Sequence, residues 1–70
     1  MPIAFAPQNK EMEIRRVSAE DKTKRHLSEL GITVGGKITL LSSTNGGVIV
    51  IVKDGRLCLD RSIAGKILVA

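Results

Sequence analysis

The sequence predicts a mainly β domain: a small closed barrel of about five short strands, with one short α-helix between the first and second strands and a helical turn before the last. Three observations point there. Two hairpin dipeptides, Asn45-Gly46 and Asp54-Gly55, separate three short aliphatic runs. One helical period, ahead of those runs, stops at Gly31. Five short strands within 70 residues close most readily into a barrel, which also removes exposed sheet edges.

The segment MPIAFAPQNK holds both prolines and reads as an extended entry. EMEIRRV alternates Met12, Ile14 and, less cleanly, Arg16, and is read as the first strand. In VSAEDKTKRHLSELGI, Ser18 followed by Asp21 resembles a capping box with Asp in place of Glu. Ala19, Thr23, Leu27 and Leu30 recur at helical spacing as a narrow apolar stripe, and Lys22, Lys24 and Arg25 fall away from it. Gly31 sits where a left-handed residue ends a helix, so that Ile32 can fold back on Leu27.

KITLLSS, VIVIV and RLCLD are three strands. Two-residue turns with positive φ at Asn45-Gly46 and Asp54-Gly55 would set Leu41 opposite Val50, Leu40 opposite Ile51, Val52 opposite Leu57 and Ile51 opposite Cys58. That pairing puts Leu41, Val48, Val50, Val52, Leu57 and Leu59 on one face, and Ile38, Leu40, Ile49, Ile51 and Cys58 on the other. A sheet with one wet face alternates apolar and polar residues. This one is apolar on both, so the second face is either covered by the helix and termini or is an interface. DRSIAG makes the helical turn, with Asp60 capping the N–H of Ser62 or Ile63. KILVA closes as a last strand with Ile67 and Val69 on one side. Strand, helix, three meandering strands, helical turn, strand is the order of an SH3-like barrel.

Size and composition bound the function. A domain over residues 1–70 buries only roughly 60% of the surface its unfolded chain exposes, which leaves little room for a deep cleft. A binding module is favoured over an enzyme. One cysteine permits no internal disulfide and no thiolate-built zinc site, and fits a reducing compartment. No apolar run is long enough to span a membrane, and the start lacks a signal-peptide pattern. The expected location is the cytoplasm. The net charge is +4, with Arg15, Arg16, Lys22, Lys24 and Arg25 clustered in the first half. Such a patch is either a solvated face or a meeting place for an acidic partner. Phe5 is the only aromatic residue, which argues against base stacking and nucleic-acid binding.

The stretch GITVGGKI matches Gly-x-x-x-x-Gly-Lys, one residue short of a phosphate loop. The context is inverted. A phosphate loop follows a strand and opens a helix, whereas here a helix precedes and a strand follows. Ile38 also stands where a Mg²⁺-binding Ser or Thr is required. Gly35 and Gly36 are read as the entry to the next strand.

DKTKRHLSELGITVGGKITLL resembles the most recognisable part of the FeoA family: a short basic helix, Leu-x-x-Leu-Gly, a gap, then Gly and a strand. RLCLDRSIAGKILV is similar to that family's ending, and IAFAPQNKEMEIRRV to its opening, with Asn9 near a position that is usually glycine. Asn tolerates unusual φ better than most residues. The resemblance implies a small cytoplasmic accessory or regulator of bacterial ferrous iron uptake. It would act by contact with the cytoplasmic GTP-binding domain of a FeoB-type permease, without catalysis and without a bound cofactor. A similar domain ends iron-dependent repressors, but this chain has no helix-turn-helix. The alternatives are an Fe²⁺-sensing or iron-binding protein and a small nucleic-acid-binding barrel.

The residues favoured for docking are Lys22, Lys24, Arg25 and His26 on the helix, with Leu40, Ile49 and Ile51 as open apolar surface. Self-association through that surface is the other use for it. His26 and Glu29 share a helical side and could form half of a weak Fe²⁺ site, although metal sites need several convergent ligands. Cys58 is read as a small buried apolar residue. No triad-like spacing is present.

Overall fold

A computed structural model describes residues 1–53 and 55–70. Seven residues form β1 (Glu11–Val17), followed by α1 (Asp21–Glu29), β2 (Lys37–Thr44), β3 (Gly47–Val52), β4 (Gly55–Leu59), α2 (Arg61–Ala64) and β5 (Ile67–Val69). A 3₁₀ turn, Ile3–Phe5, precedes them. The five strands are antiparallel neighbours in one sheet of order β4-β3-β2-β1-β5.

Two bulges curl this sheet and decide which residues it buries. In β1 the register shifts between Ile14, opposite Val69, and Arg16, opposite Leu68. Arg15 and Arg16 are therefore both exposed, and Val17 returns to the interior. This accounts for the imperfect alternation at Arg16: an extra residue, not a polar core position. In β2 the register shifts between Leu40, opposite Val50, and Ser42, opposite Ile49. The expected pairing holds from Thr44–Gly47 to Ser42–Ile49 and then slips by one at Leu41.

That slip corrects the expected faces. Ile38 and Leu40, each 1% exposed, join Val48, Val50 and Val52 in the core. Leu41 is only half-buried. The third hairpin strand also pairs differently from expectation. Val52 lies opposite Gly55, Val50 opposite Leu57, and Ile49, rather than Ile51, opposite Cys58. Lys53 holds a φ of +52; the turn role read for Asp54 lies outside the described residues. At Asn45-Gly46 the two-residue connection is as expected, but positive φ falls on Gly47 (+146). Thr44 Oγ1 accepts from the Gly46 N–H at 3.2 Å and donates to the Gly47 carbonyl at 3.3 Å, so the threonine side chain helps shape this turn.

The helix starts later than the capping-box reading placed it. Glu20 is the N-cap, with no side-chain cap bond, and Ser18 instead donates its N–H to the Lys66 carbonyl at 2.7 Å. The β1–β5 pairing thus runs one residue further, and the helix begins only after it. The C-terminus follows expectation. Gly31 has a φ of +98. Ile32 N–H donates to Leu27 O at 2.9 Å and Gly31 N–H to Ser28 O at 3.0 Å, the double bond pattern of a left-handed stop. Leu27 and Ile32 are both buried, whereas Leu30 is exposed.

The N-terminal segment is structural. Ile3, fully buried, sits in the core with Ile14, Val50 and Ile67. Pro2 bridges Leu68, and the Val69 N–H donates to the Met1 carbonyl at 2.7 Å, covering the outer edge of β5. Asn9 has a φ of +65 and donates its N–H to Leu40 O at 2.7 Å. Asp60 caps α2 through Ile63 N–H at 2.8 Å, and Ile67 and Val69 are buried. Arg61 donates to Ser43 Oγ and to Thr44 O, both at 2.9 Å, tying α2 to the β2–β3 hairpin.

Candidate docking surface

The β1 bulge, the face of α1 and the loop after Gly31 enclose a shallow groove of about 280 Å³. Arg15 and Arg16 enter it because the bulge turns both outward. Lys24 and Ser28, one helical turn apart, line the opposite wall. The left-handed stop at Gly31 turns Ile32 inward and lets the chain rise again to Val34, which is 66% exposed. The loop is held from below: Gly35 N–H donates to Ile14 O, and Ile14 N–H to Gly36 O, each at 2.8 Å. These bonds make Gly35 and Gly36 an extension of the β1–β2 ladder. The Gly35 N–H is occupied and β2 follows, as the strand-entry reading expects.

The groove is positive. Arg15, Arg16 and Lys24 line it, and among the described residues no carboxylate does. Arg15 lies 3.5 Å from Glu13 at the surface. Among the described residues, no carboxylate lies within ion-pairing distance of Arg16 or Lys24.

The residues favoured from sequence are distributed differently. Lys22, Arg25 and His26 are exposed on α1, but only Lys24 of that set lines the groove. Leu40 is buried in the core and offers no surface, a consequence of the β2 bulge. Ile49 is 36% exposed and lines a hollow of about 410 Å³ with Ser42, Thr44, Cys58 and Asp60. Ile51 is half-buried beside Glu11, Thr39 and Lys53 in a third hollow. None of the three hollows joins a helix cation to Ile49 or Ile51.

Cys58 is exposed, contrary to the buried reading, because the register places it with Ile49 on the open face. His26 Nδ1 and Glu29 Oε1 stand 4.0 Å apart with both side chains about 70% exposed. No group of three His, Cys, Asp or Glu suited to a metal ion occurs among the described residues. Sequence reading grouped Arg15 and Arg16 with Lys24 in one basic cluster but left them, and Val34, out of the favoured docking residues. The available signal was the break in alternation at Arg16, which marks a bulge as readily as a weak strand.

Fold and surface together define a small SH3-like domain that presents shallow grooves. The FeoA domain family model matches residues 1–70, and the chain belongs to that family. It is 31% identical over 68 residues to a protein assigned as Fe(2+) transport protein A in Methanocaldococcus jannaschii, covering 97% of this chain and 83% of that relative. The crystal structure of an iron uptake regulatory protein, FeoA, superposes with a TM-score of 0.88 at 21% identity, covering 99% of this chain and 93% of that one. The FeoA of Stenotrophomonas maltophilia, solved in complex with zinc and described as a unique procaryotic SH3 domain protein, gives a TM-score of 0.83 at 25% identity, over 100% of this chain and 89% of that one. Among the described residues, no helix is long and apolar enough to cross a membrane.

Proposed function

We propose that this chain is a non-catalytic accessory protein of ferrous iron uptake that works in the cytoplasm by docking on the GTP-binding domain of a FeoB-type permease. The family match across residues 1–70 carries this reading. The Stenotrophomonas relative is described as a candidate ferrous iron transport activating factor, which supports a role exerted on another protein. The physical means is a helix whose Lys22, Lys24, Arg25 and His26 are all exposed, beside exposed apolar side chains. Charge of this kind raises the rate of encounter with an acidic surface, and a small apolar anchor slows release.

The test is capture of the purified permease domain by the immobilised protein. Reversal of Lys22, Lys24 and Arg25 to Glu is expected to weaken capture at least tenfold at low salt, and added salt to weaken the unaltered pair. Equal capture by the reversed variant would overturn the basic helix as the contact. The Fe²⁺-binding alternative rests only on His26 and Glu29, two exposed groups that form at most half a site.

A further inference from the structure

We infer that the groove between β1 and α1 takes an extended acidic peptide segment carrying an aliphatic side chain, with its carboxylates on Arg16 and Lys24 and its aliphatic group against Val34. The inference rests on the contact-acting reading above and narrows it to one surface.

Three observations carry it. First, the charge is concentrated and only partly compensated, by Glu13 beside Arg15. Arg15, Arg16 and Lys24 converge on one groove without a lining carboxylate, and neither Arg16 nor Lys24 is within 4.0 Å of one among the described residues. A solvated face more often interleaves both signs. Secondly, the convergence is built by backbone geometry. A bulge in β1 turns two consecutive arginines outward, and the opposite wall is a helix of 9 residues ended by a left-handed stop. Bulges recur where a strand must re-aim a side chain. Thirdly, the groove is amphipathic. Val17 and Ile32 form an apolar floor, and Val34 stands 66% exposed at the rim.

These features select among anionic partners. The groove is shallow and, at about 280 Å³, only as large as the smallest of the ~300–1,000 Å³ small-molecule sites, a size that suits a few side chains of a longer ligand. A nucleic acid would need aromatic platforms, and the sole aromatic, Phe5, does not line the groove. A free phosphate would pair with the same cations but would leave the apolar floor and rim unused, and the backbone offers it no nest at Gly35 and Gly36, whose N–H groups are already bonded to Ile14 O and Thr33 O. Carboxylates spaced around an aliphatic residue meet both the cations and the rim.

The experiment measures fluorescence anisotropy with a labelled octapeptide of alternating glutamate and leucine, at low and at physiological salt. Saturable binding is expected, weakened roughly tenfold by the double reversal Arg16→Glu/Lys24→Glu at low salt. A severalfold loss is expected from Val34→Ser. Arg56→Glu, an exposed cation on β4 outside the groove, should leave binding unchanged. All four positions are exposed, and circular dichroism checks that each variant is folded; the milder pair Arg16→Gln/Lys24→Gln repeats the test without like-charge repulsion. Equal binding by unaltered and groove-reversed proteins would overturn the inference. So would equal binding of a peptide with serine for leucine, or displacement of the peptide by a short DNA oligomer at lower concentration. The same variants separate this inference from the function above. If the permease domain binds the unaltered and the Arg16→Glu/Lys24→Glu proteins equally, the groove is wrong and the docking reading stands. If the peptide occupies the groove but the permease domain binds neither protein, the groove stands and that partner falls.

Discussion

Asp60 and Ser18 show how the same residue chemistry is used or set aside by its neighbours. Both precede a helical stretch and both have the oxygen a cap requires. Asp60 uses it, bonding Ile63 N–H at 2.8 Å. Ser18 does not cap: its N–H continues the β1–β5 pairing to Lys66 O, and the helix begins only at Asp21, behind Glu20 as the cap residue. Asp60→Ala should therefore lower stability by about 1 kcal/mol, and Ser18→Ala should leave it within about 0.5 kcal/mol. Urea unfolding of the two variants checks this, and the reverse order would show that α1 begins at Ser18. The stop at Gly31 was legible for a different reason. Its signal, a glycine after a periodic run, is local, and its bonds to Leu27 and Ser28 lie within one turn.

At the level of elements, the strands were legible and their faces were not. β2 to β5 each coincide with an aliphatic run and β1 with an imperfect alternation, since β-branched residues and turn dipeptides mark strands locally. Which side chains face inward depends on the register, and a single extra residue reverses it. Leu41 is such a residue: counted regularly from Asn45-Gly46 it faces Val50, whereas Leu40 holds that place. Leu40→Ala is expected to cost about 2–5 kcal/mol, as for a fully buried leucine, and Leu41→Ala about 1 kcal/mol. Comparable losses at the two positions, read by chemical denaturation, would count against the bulge. The candidate groove has the same origin. Arg15 and Arg16 would point to opposite faces of a regular strand and share one groove only because β1 is bulged.

For the molecule as a whole, closure comes from the chain's first residues as much as from its strands. Pro2 bridges Leu68, Met1 accepts from Val69, and Ile3 is wholly buried in the core, its 3₁₀ turn packing against β2, α2 and β5. Ile3→Ala should cost about 2–5 kcal/mol, a large share of the roughly 5 kcal/mol that a small domain has in reserve, and should appear as a strongly lowered thermal midpoint. Retention of the unaltered midpoint would show that the segment is an appendage. By itself the sequence determined the element order, the turn at Asn45-Gly46, the helix stop, the Asp60 cap and the family resemblance, because each is written in contiguous residues. The placement of Ile38 and Leu40 in the core, the exposure of Cys58, the role of Ile3 and the meeting of Arg15, Arg16 and Lys24 were decided by the tertiary structure alone. Those depend on register and on contacts between segments far apart in the chain, and a bulge shifts them without leaving a residue type that announces it.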